Sequence, residues 1–290
     1  MFFSMVGPSE TREEDGESLT SGTVVDAETV RYAREYGFPH LLGDQYSEVV
    51  DTGIRERISR TPGRAIAPDL VDLVRLHRLV RQRKVSTILE FGVGFSTLVM
   101  ADALSRNESE YADVFRERGL RRENPFEVHS VDSEAHWIAE TTRRFPERLG
   151  GQVRFHHSPV AVTEFNGRIC HAYESLPNIC PDFVYLDGPS PFSVQGDVRG
   201  ISFGQADRTV LACDLLKIEW LLLPGSLIVI DGRTNNARFL RANFQRDFVY
   251  EHLREEDVHL FELVETTLGP HNSRQIEFSL GADRLKSEFL

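Results

Sequence analysis

The chain has 290 residues, 40% of them hydrophobic and 27% charged, the composition of an ordinary globular protein. Its 33 basic and 45 acidic side chains give a formal charge of -12 with no sustained basic run. That balance argues against nucleic acid and against an anionic membrane surface as partners, because both need clustered Lys and Arg. Cys170, Cys180 and Cys213 form no CxxC pair, so a reducing, cytoplasmic setting is expected. No apolar run approaches the roughly 20 residues of a membrane span, and the opening MFFSMVGPSE lacks the basic start of a secretory signal.

In chain order, residues 1–22 are rich in Glu, Ser, Thr and Gly and read as a disordered acidic leader. Residues 23–65 read as a helical extension interrupted by Gly37, Pro39 and Gly43. Pro68 is placed to open a helix whose apolar face is Leu70, Leu73, Leu76 and Val80. From 66 to 290 the pattern is that of one α/β domain. Apolar runs of strand length occur at 85–89, 126–131, 152–156, 182–186 and 226–230, with helical stretches at 96–105, 133–145 and 206–222. In the last helix Leu211, Leu215, Ile218 and Leu222 recur at helical spacing, and Pro224-Gly225 stops it. Residues 106–125 carry both charges densely and read as a solvated helical insertion. Apolar runs at 247–252, 258–265 and 275–280 predict antiparallel strands closing the sheet. Strands alternating with helices predict a mostly parallel sheet with helices on both faces.

Four runs end in an acid: Glu90, Asp132, Asp187 and Asp231. Any one of them is explained as a helix cap, but four on the carboxyl rim of a parallel sheet point to a shared ligand site. The first run continues as ILEFGVGFST, where Gly92 and Gly94 admit close backbone approach and Ser96 and Thr97 start a helix. The dinucleotide fingerprint G-x-G-x-x-G is not matched, since Thr97 stands at the third glycine position.

ILEFGVGFST, HSVDSEAHW, DFVYLDGPSPF and LLPGSLIVIDG, in that order, resemble the motifs of class I S-adenosylmethionine-dependent methyltransferases over roughly residues 66–280. The resemblance implies a Rossmann-like seven-stranded sheet, mostly parallel, with an antiparallel C-terminal component. It implies that the turn from Glu90 through Gly92, Gly94, Ser96 and Thr97 lies against the methionine part of the cofactor. Asp132 would accept from the two ribose hydroxyls, and a carboxylate offers two acceptors to a cis-diol. The family often has an acid after the third strand to meet adenine; here the region reads FHHSPV, and Ser158 is the polar candidate. Asp187 falls where the family places groups near the methyl donor and acceptor.

Transfer to an alcohol or phenol needs a general base or a metal. Asp187, His157 and His171 are the candidate bases. In catechol-type members such acids bind Mg2+, which points to Asp187 and Asp231; however, Gly232 and Arg233 follow Asp231 where that branch has Asn. The expected activity is methyl transfer to a small-molecule acceptor, at oxygen, and a homo-oligomer is compatible with the sequence. Two alternatives stay open: a nicotinamide-dependent oxidoreductase, which shares the ribose-binding acid, and an S-adenosylmethionine-binding protein without turnover.

Overall fold

The structure, a computed structural model, describes residues 25–44, 46, 69–120, 123–205 and 207–286. The acidic leader and Pro68 lie outside these residues, as does most of the extension after residue 44.

Seven strands form the main sheet: β1 (Thr87–Phe91), β2 (Glu127–Asp132), β3 (Val153–His157), β6 (Phe183–Leu186), β7 (Leu227–Asp231), β8 (Phe248–Leu253) and β9 (Val258–Leu263). Their order across the sheet is β3-β2-β1-β6-β7-β9-β8. The first five are parallel, and β9 runs antiparallel to both β7 and β8. This is the expected α/β fold, a mostly parallel seven-stranded sheet with an antiparallel C-terminal edge.

The central strands are buried on both faces, as a covered parallel sheet requires. Alternation sends Ile88, Val128, Phe183 and Val229 to one face, where they pack with the helices α3 (Leu70–Gln82) and α4 (Phe95–Glu117). The short helices α1 (Ala27–Glu35) and α2 (Phe38–Leu42) join that layer through Ala33, Phe38 and Leu41. Leu89, Phe91, Val184, Leu186 and Ile230 point to the opposite face, against a hairpin of β4 (Val160–Phe165) and β5 (Arg168–Tyr173). That hairpin, unforeseen in the sequence reading, fills the β3-to-β6 crossover, a connection usually made by a helix. Its two-residue turn is Asn166-Gly167, both at positive φ, as a twist-matched hairpin turn demands. Helix α5 (Ala135–Arg144) follows β2.

Three expectations need correction. Residues 106–117 are no separate insertion but the continuation of α4. Asn107 is buried there, and Phe115 packs on Phe126 and Phe278. Of the helix expected over 206–222, only α6 (Asp214–Ile218) and a 3-10 turn over 219–221 form. Upstream, Leu211 and Cys213 bond to the backbone of His171 in strand fashion, so tertiary pairing overrides the leucine spacing. Residues 275–280 belong to α8 (Pro270–Leu280), a helix opened by Pro270, rather than to a strand. An unforeseen helix, α7 (Thr234–Arg241), follows β7, and α9 (Ala282–Lys286) ends the described chain.

Candidate functional site

The carboxyl ends of β1, β2, β6 and β7 are adjacent, so the four rim acids share one edge of the sheet. Each has a different surrounding.

Glu90 is fully buried and faces the α4 side. It accepts hydrogen bonds from the Ser96 hydroxyl at 2.5 Å, the Thr97 hydroxyl at 2.6 Å and the Ser130 hydroxyl on β2. It therefore ties the first turn of α4 to two strands and holds the glycine turn from beneath. Burial pushes its carboxyl up to about 7, against the opposing pull of the three hydroxyl donors.

The turn above it is fastened by backbone bonds. Gly92 N–H donates to Val131 O at 2.8 Å, and Asp187 N–H donates to Phe91 O at 3.0 Å. Gly92 has φ of 98°, and a side chain there would meet the Gly188 backbone nitrogen at 3.1 Å. At Gly188 the reverse contact would be 2.7 Å from Gly92 N. These two glycines exist for each other: they let the β1 and β6 exits touch. Gly94 differs. Its backbone is extended, and no atom lies within 4 Å of where a Cβ would stand. The open direction from the turn is therefore at Gly94, whereas Gly92 answers to the protein's own backbone.

Asp132 closes the arrangement. Its Oδ2 accepts from Val93 N–H at 3.0 Å, inside the glycine turn, and its Oδ1 accepts from Glu134 N–H at 2.8 Å. Burial lifts its carboxyl above the ordinary range, and the two N–H groups partly offset that. Glycine turn and second-strand acid are thus one unit joined by a hydrogen bond. Each carboxylate oxygen carries two lone pairs, which leaves acceptor capacity for a diol.

Ser158 is buried and turned inward. Its hydroxyl accepts from Ser175 N–H at 2.9 Å, and its own N–H donates to Asp132 O at 2.9 Å. It braces the site from below. His157 pairs across from Asp132 in the sheet, is exposed, and its Nε2 lies 3.2 Å from Ser133 O. His171 sits in β5 with no exposed surface and its ring edge-on to Phe203. Burial, reinforced by the charge of Arg233, brings its pKa down to about 3. The structure therefore keeps His171 neutral inside the hairpin layer and does not bring it to the solvent-facing rim. Neighbouring Tyr173 packs on Phe91 and has a buried hydroxyl without a hydrogen-bond partner.

Asp187 follows β6 and is about half exposed, 53%. Arg233 approaches it, Nε to Oδ1 at 3.4 Å, while the same guanidinium donates to Asp187 O and to Pro189 O at 3.0 Å. Asp231 accepts from the Tyr185 hydroxyl at 3.3 Å. This arrangement does not fit Mg2+ held between Asp187 and Asp231. A guanidinium already faces the first carboxylate, and Asn235, the nearest candidate to supply the missing amide, is turned to Thr209 at 2.8 Å. Asn236 is bonded to the Ala212 backbone. The sequence reading missed Arg233, since no local pattern marks it; only the pairing of β6 with β7 brings it to Asp187.

The segment after β6 covers the hairpin. Gln195 exchanges backbone bonds with Val160 and Val162, Phe203 is buried against His171, and the Ser193 hydroxyl donates to Glu134. Phe192 remains exposed at its near end.

No family model matches the sequence, and no curated protein matches it. Among solved structures the chain is similar to the SAH-bound methyltransferase PaMTH1 of Podospora anserina, at 12% identity and a TM-score of 0.45, over 89% of this chain and 99% of that one. It is also similar to the O-methyltransferase TomG of Streptomyces achromogenes in complex with SAM, at 16% identity and a TM-score of 0.40, over 82% and 99%. A third is an O-methyltransferase of Bacillus cereus in complex with SAH, at 13% identity and a TM-score of 0.36, over 82% and 91%. At such identities and scores these are likenesses only; the order and direction of the seven strands carry the fold class.

Proposed function

We propose that the chain binds S-adenosylmethionine along the rim of β1 and β2 and methylates a small-molecule acceptor at oxygen. The observation that carries this reading is the bond from Val93 N–H to Asp132, which joins the glycine turn to an acid on the neighbouring strand, beside the open side of Gly94. In this reading Gly94 admits the methionine end, and Asp132 accepts from the ribose hydroxyls. Glu90, Ser96 and Thr97 keep the turn in shape. Ser158 supports the Asp132 backbone from the third strand.

Bound there, S-adenosylmethionine would supply a sulfonium methyl that passes in line to the acceptor oxygen as its C–S bond breaks and S-adenosylhomocysteine leaves. The protein must hold the acceptor aligned and take up its hydroxyl proton. Asp187 is the base we assign, half exposed on the rim and oriented by Arg233. The net charge of -12 supports a small acceptor over a nucleic acid.

A second reading, binding without turnover, is favoured by the same Arg233 contact, because a paired carboxylate is a weaker base. Titrating S-adenosylmethionine and NAD side by side, then following labelled methyl into a pool of hydroxylated small molecules, separates the readings. Binding of the sulfonium alone, with transfer, is the expected result. Binding without transfer selects the second reading, and binding of NAD alone overturns both.

A further inference from the structure

The β8–β9 hairpin carries a cluster that the methyl-transfer reading leaves unused. His252 and His259 are directly opposite in the antiparallel register, and their rings stack with centroids 4.0 Å apart. Asp257, in the left-handed conformation at φ of 53°, closes the turn beside them. One ligand atom from each of His252, Asp257 and His259 falls within 4.8 Å of the others; among the described residues no other group of three such side chains does so.

The surroundings are those of a ligand set. The Tyr250 hydroxyl lies 3.0 Å from His259 Nδ1. Thr234 Oγ1 lies 3.1 Å from His259 Nε2 and 3.3 Å from Asp257 Oδ1, so nitrogen and carboxylate gather around one hydroxyl. Because Thr234 gives its proton to Asp257, Nε2–H donates to Thr234 and Nδ1 accepts from Tyr250 in the metal-free chain. On metal binding the proton moves to Nδ1, where Tyr250 can accept it, and Nε2 is freed as a ligand. His252 Nε2 is buried without a hydrogen-bond partner. The buried His252 nitrogen, beside a carboxylate and a hydroxyl, is a polar atom that a bound ion would satisfy.

We propose that His252, Asp257 and His259 bind a divalent transition-metal ion of the Zn2+, Co2+ or Ni2+ class. Two imidazoles and one carboxylate suit these borderline ions, whereas Mg2+ and Ca2+ prefer all-oxygen sets. Ligands about 2.1 Å from a tetrahedral ion are roughly 3.4 Å apart, so modest side-chain rotation from the present spacing completes the site. The fourth position falls to Thr234 or to solvent. The ion would brace the segment after β7, because Gly232 N–H donates to Asp257 O at 2.9 Å and Thr234 follows Arg233 directly. The site stands independently of the cofactor reading.

The test is a titration of the tag-free full-length chain with Co2+, read by its visible absorption, and with Zn2+, read by calorimetry. One ion per chain is expected, lost in His252→Gln and in Asp257→Asn, and retained in Glu255→Gln, an exposed neighbour. Asn tolerates the left-handed turn, so Asp257→Asn keeps the test valid should His252→Gln fail to fold. Tyr250→Phe should weaken binding by roughly 10–100-fold, the range for an outer-shell partner. The absence of stoichiometric binding, or binding undiminished in a folded His252→Gln or Asp257→Asn protein, overturns the proposal.

Discussion

Two buried carboxylates reach α4, and their surroundings differ in one respect. Asp102 receives a hydrogen bond from Arg106 at 2.6 Å, another from Arg148 at 2.9 Å, and a longer contact from His77 at 3.4 Å. Glu90 receives three hydrogen bonds, all from neutral hydroxyls. Burial works to raise both groups, but at Asp102 the His77 and arginine partners outweigh it and bring the carboxyl to about 2. At Glu90 the hydroxyls do not, and the value stands near 7. Charged partners make a buried acid a permanent anchor: Arg148 fixes the 3-10 turn Glu147–Gln152 onto α4, while His77, whose pKa burial lowers, adds the contact from α3. Hydroxyls give it shape without charge balance. The unbalanced acid is the one beneath the glycine turn, where a sulfonium ligand would bring the missing positive charge.

The contrast can be broken at either end. The largest effect is expected from Asp102→Ala, which leaves His77 buried and two arginines without their acceptor. About 3 kcal/mol of unfolding free energy should be lost, the low end for breaking a buried pair, because Arg106 and Arg148 keep partial access to water. Denaturant melts measure it, and a loss under about 1 kcal/mol would demote Asp102 to an ordinary surface ion pair.

Glu90 sharpens the comparison through pH. Its folded value is raised from near 4.5 to about 7, so the folded state binds more protons than the unfolded state between those limits. Stability attributable to this group therefore falls as pH rises through that window, by a total on the order of 3 kcal/mol, and is level on either side. Subtracting the profile of Glu90→Gln from that of the wild type should isolate the slope. A flat difference between pH 5 and 7 would mean that the hydroxyls suffice to keep the acid ionised.

Asp132→Ala should weaken S-adenosylmethionine binding by roughly 1–3 kcal/mol with the fold intact, the cost of losing hydrogen bonds to a charged group. Calorimetry on the folded variant is the check, and unchanged affinity removes Asp132 from the ribose. The smallest effect belongs to Arg233→Gln. Its ion pair with half-exposed Asp187 is worth about 0.5–1 kcal/mol in a thermal melt. If Asp187 is the base, the same variant should shift the pH profile of methyl transfer upward, since an acid relieved of a neighbouring cation holds its proton to higher pH.

Much of this was legible in the sequence, for physical reasons. Strands buried on both faces must be apolar throughout, and an acid that ends such a run sits on the rim, so Glu90, Asp132, Asp187 and Asp231 mark the edge of the sheet without coordinates. The failures are equally specific. The Asn166-Gly167 dipeptide is a local hairpin signal, but the hairpin it closes stands where a β3-to-β6 crossover normally holds a helix. Leu211 has helical spacing but pairs with β5, a choice made by tertiary contact. Gly92 and Gly94 look alike in the motif, yet one packs on Gly188 and the other faces open space; only the neighbouring strand decides which. Arg233 became part of the site through the pairing of β6 with β7, some 46 residues away in sequence.

The most direct test of the central claim is a crystal structure of the chain grown with S-adenosylhomocysteine. Density running from Gly94 to the Asp132 carboxylate, with both ribose hydroxyls on that carboxylate, is the predicted result. An ordered ligand bound elsewhere, with Asp132 still closed on Val93 and Glu134 alone, would contradict it.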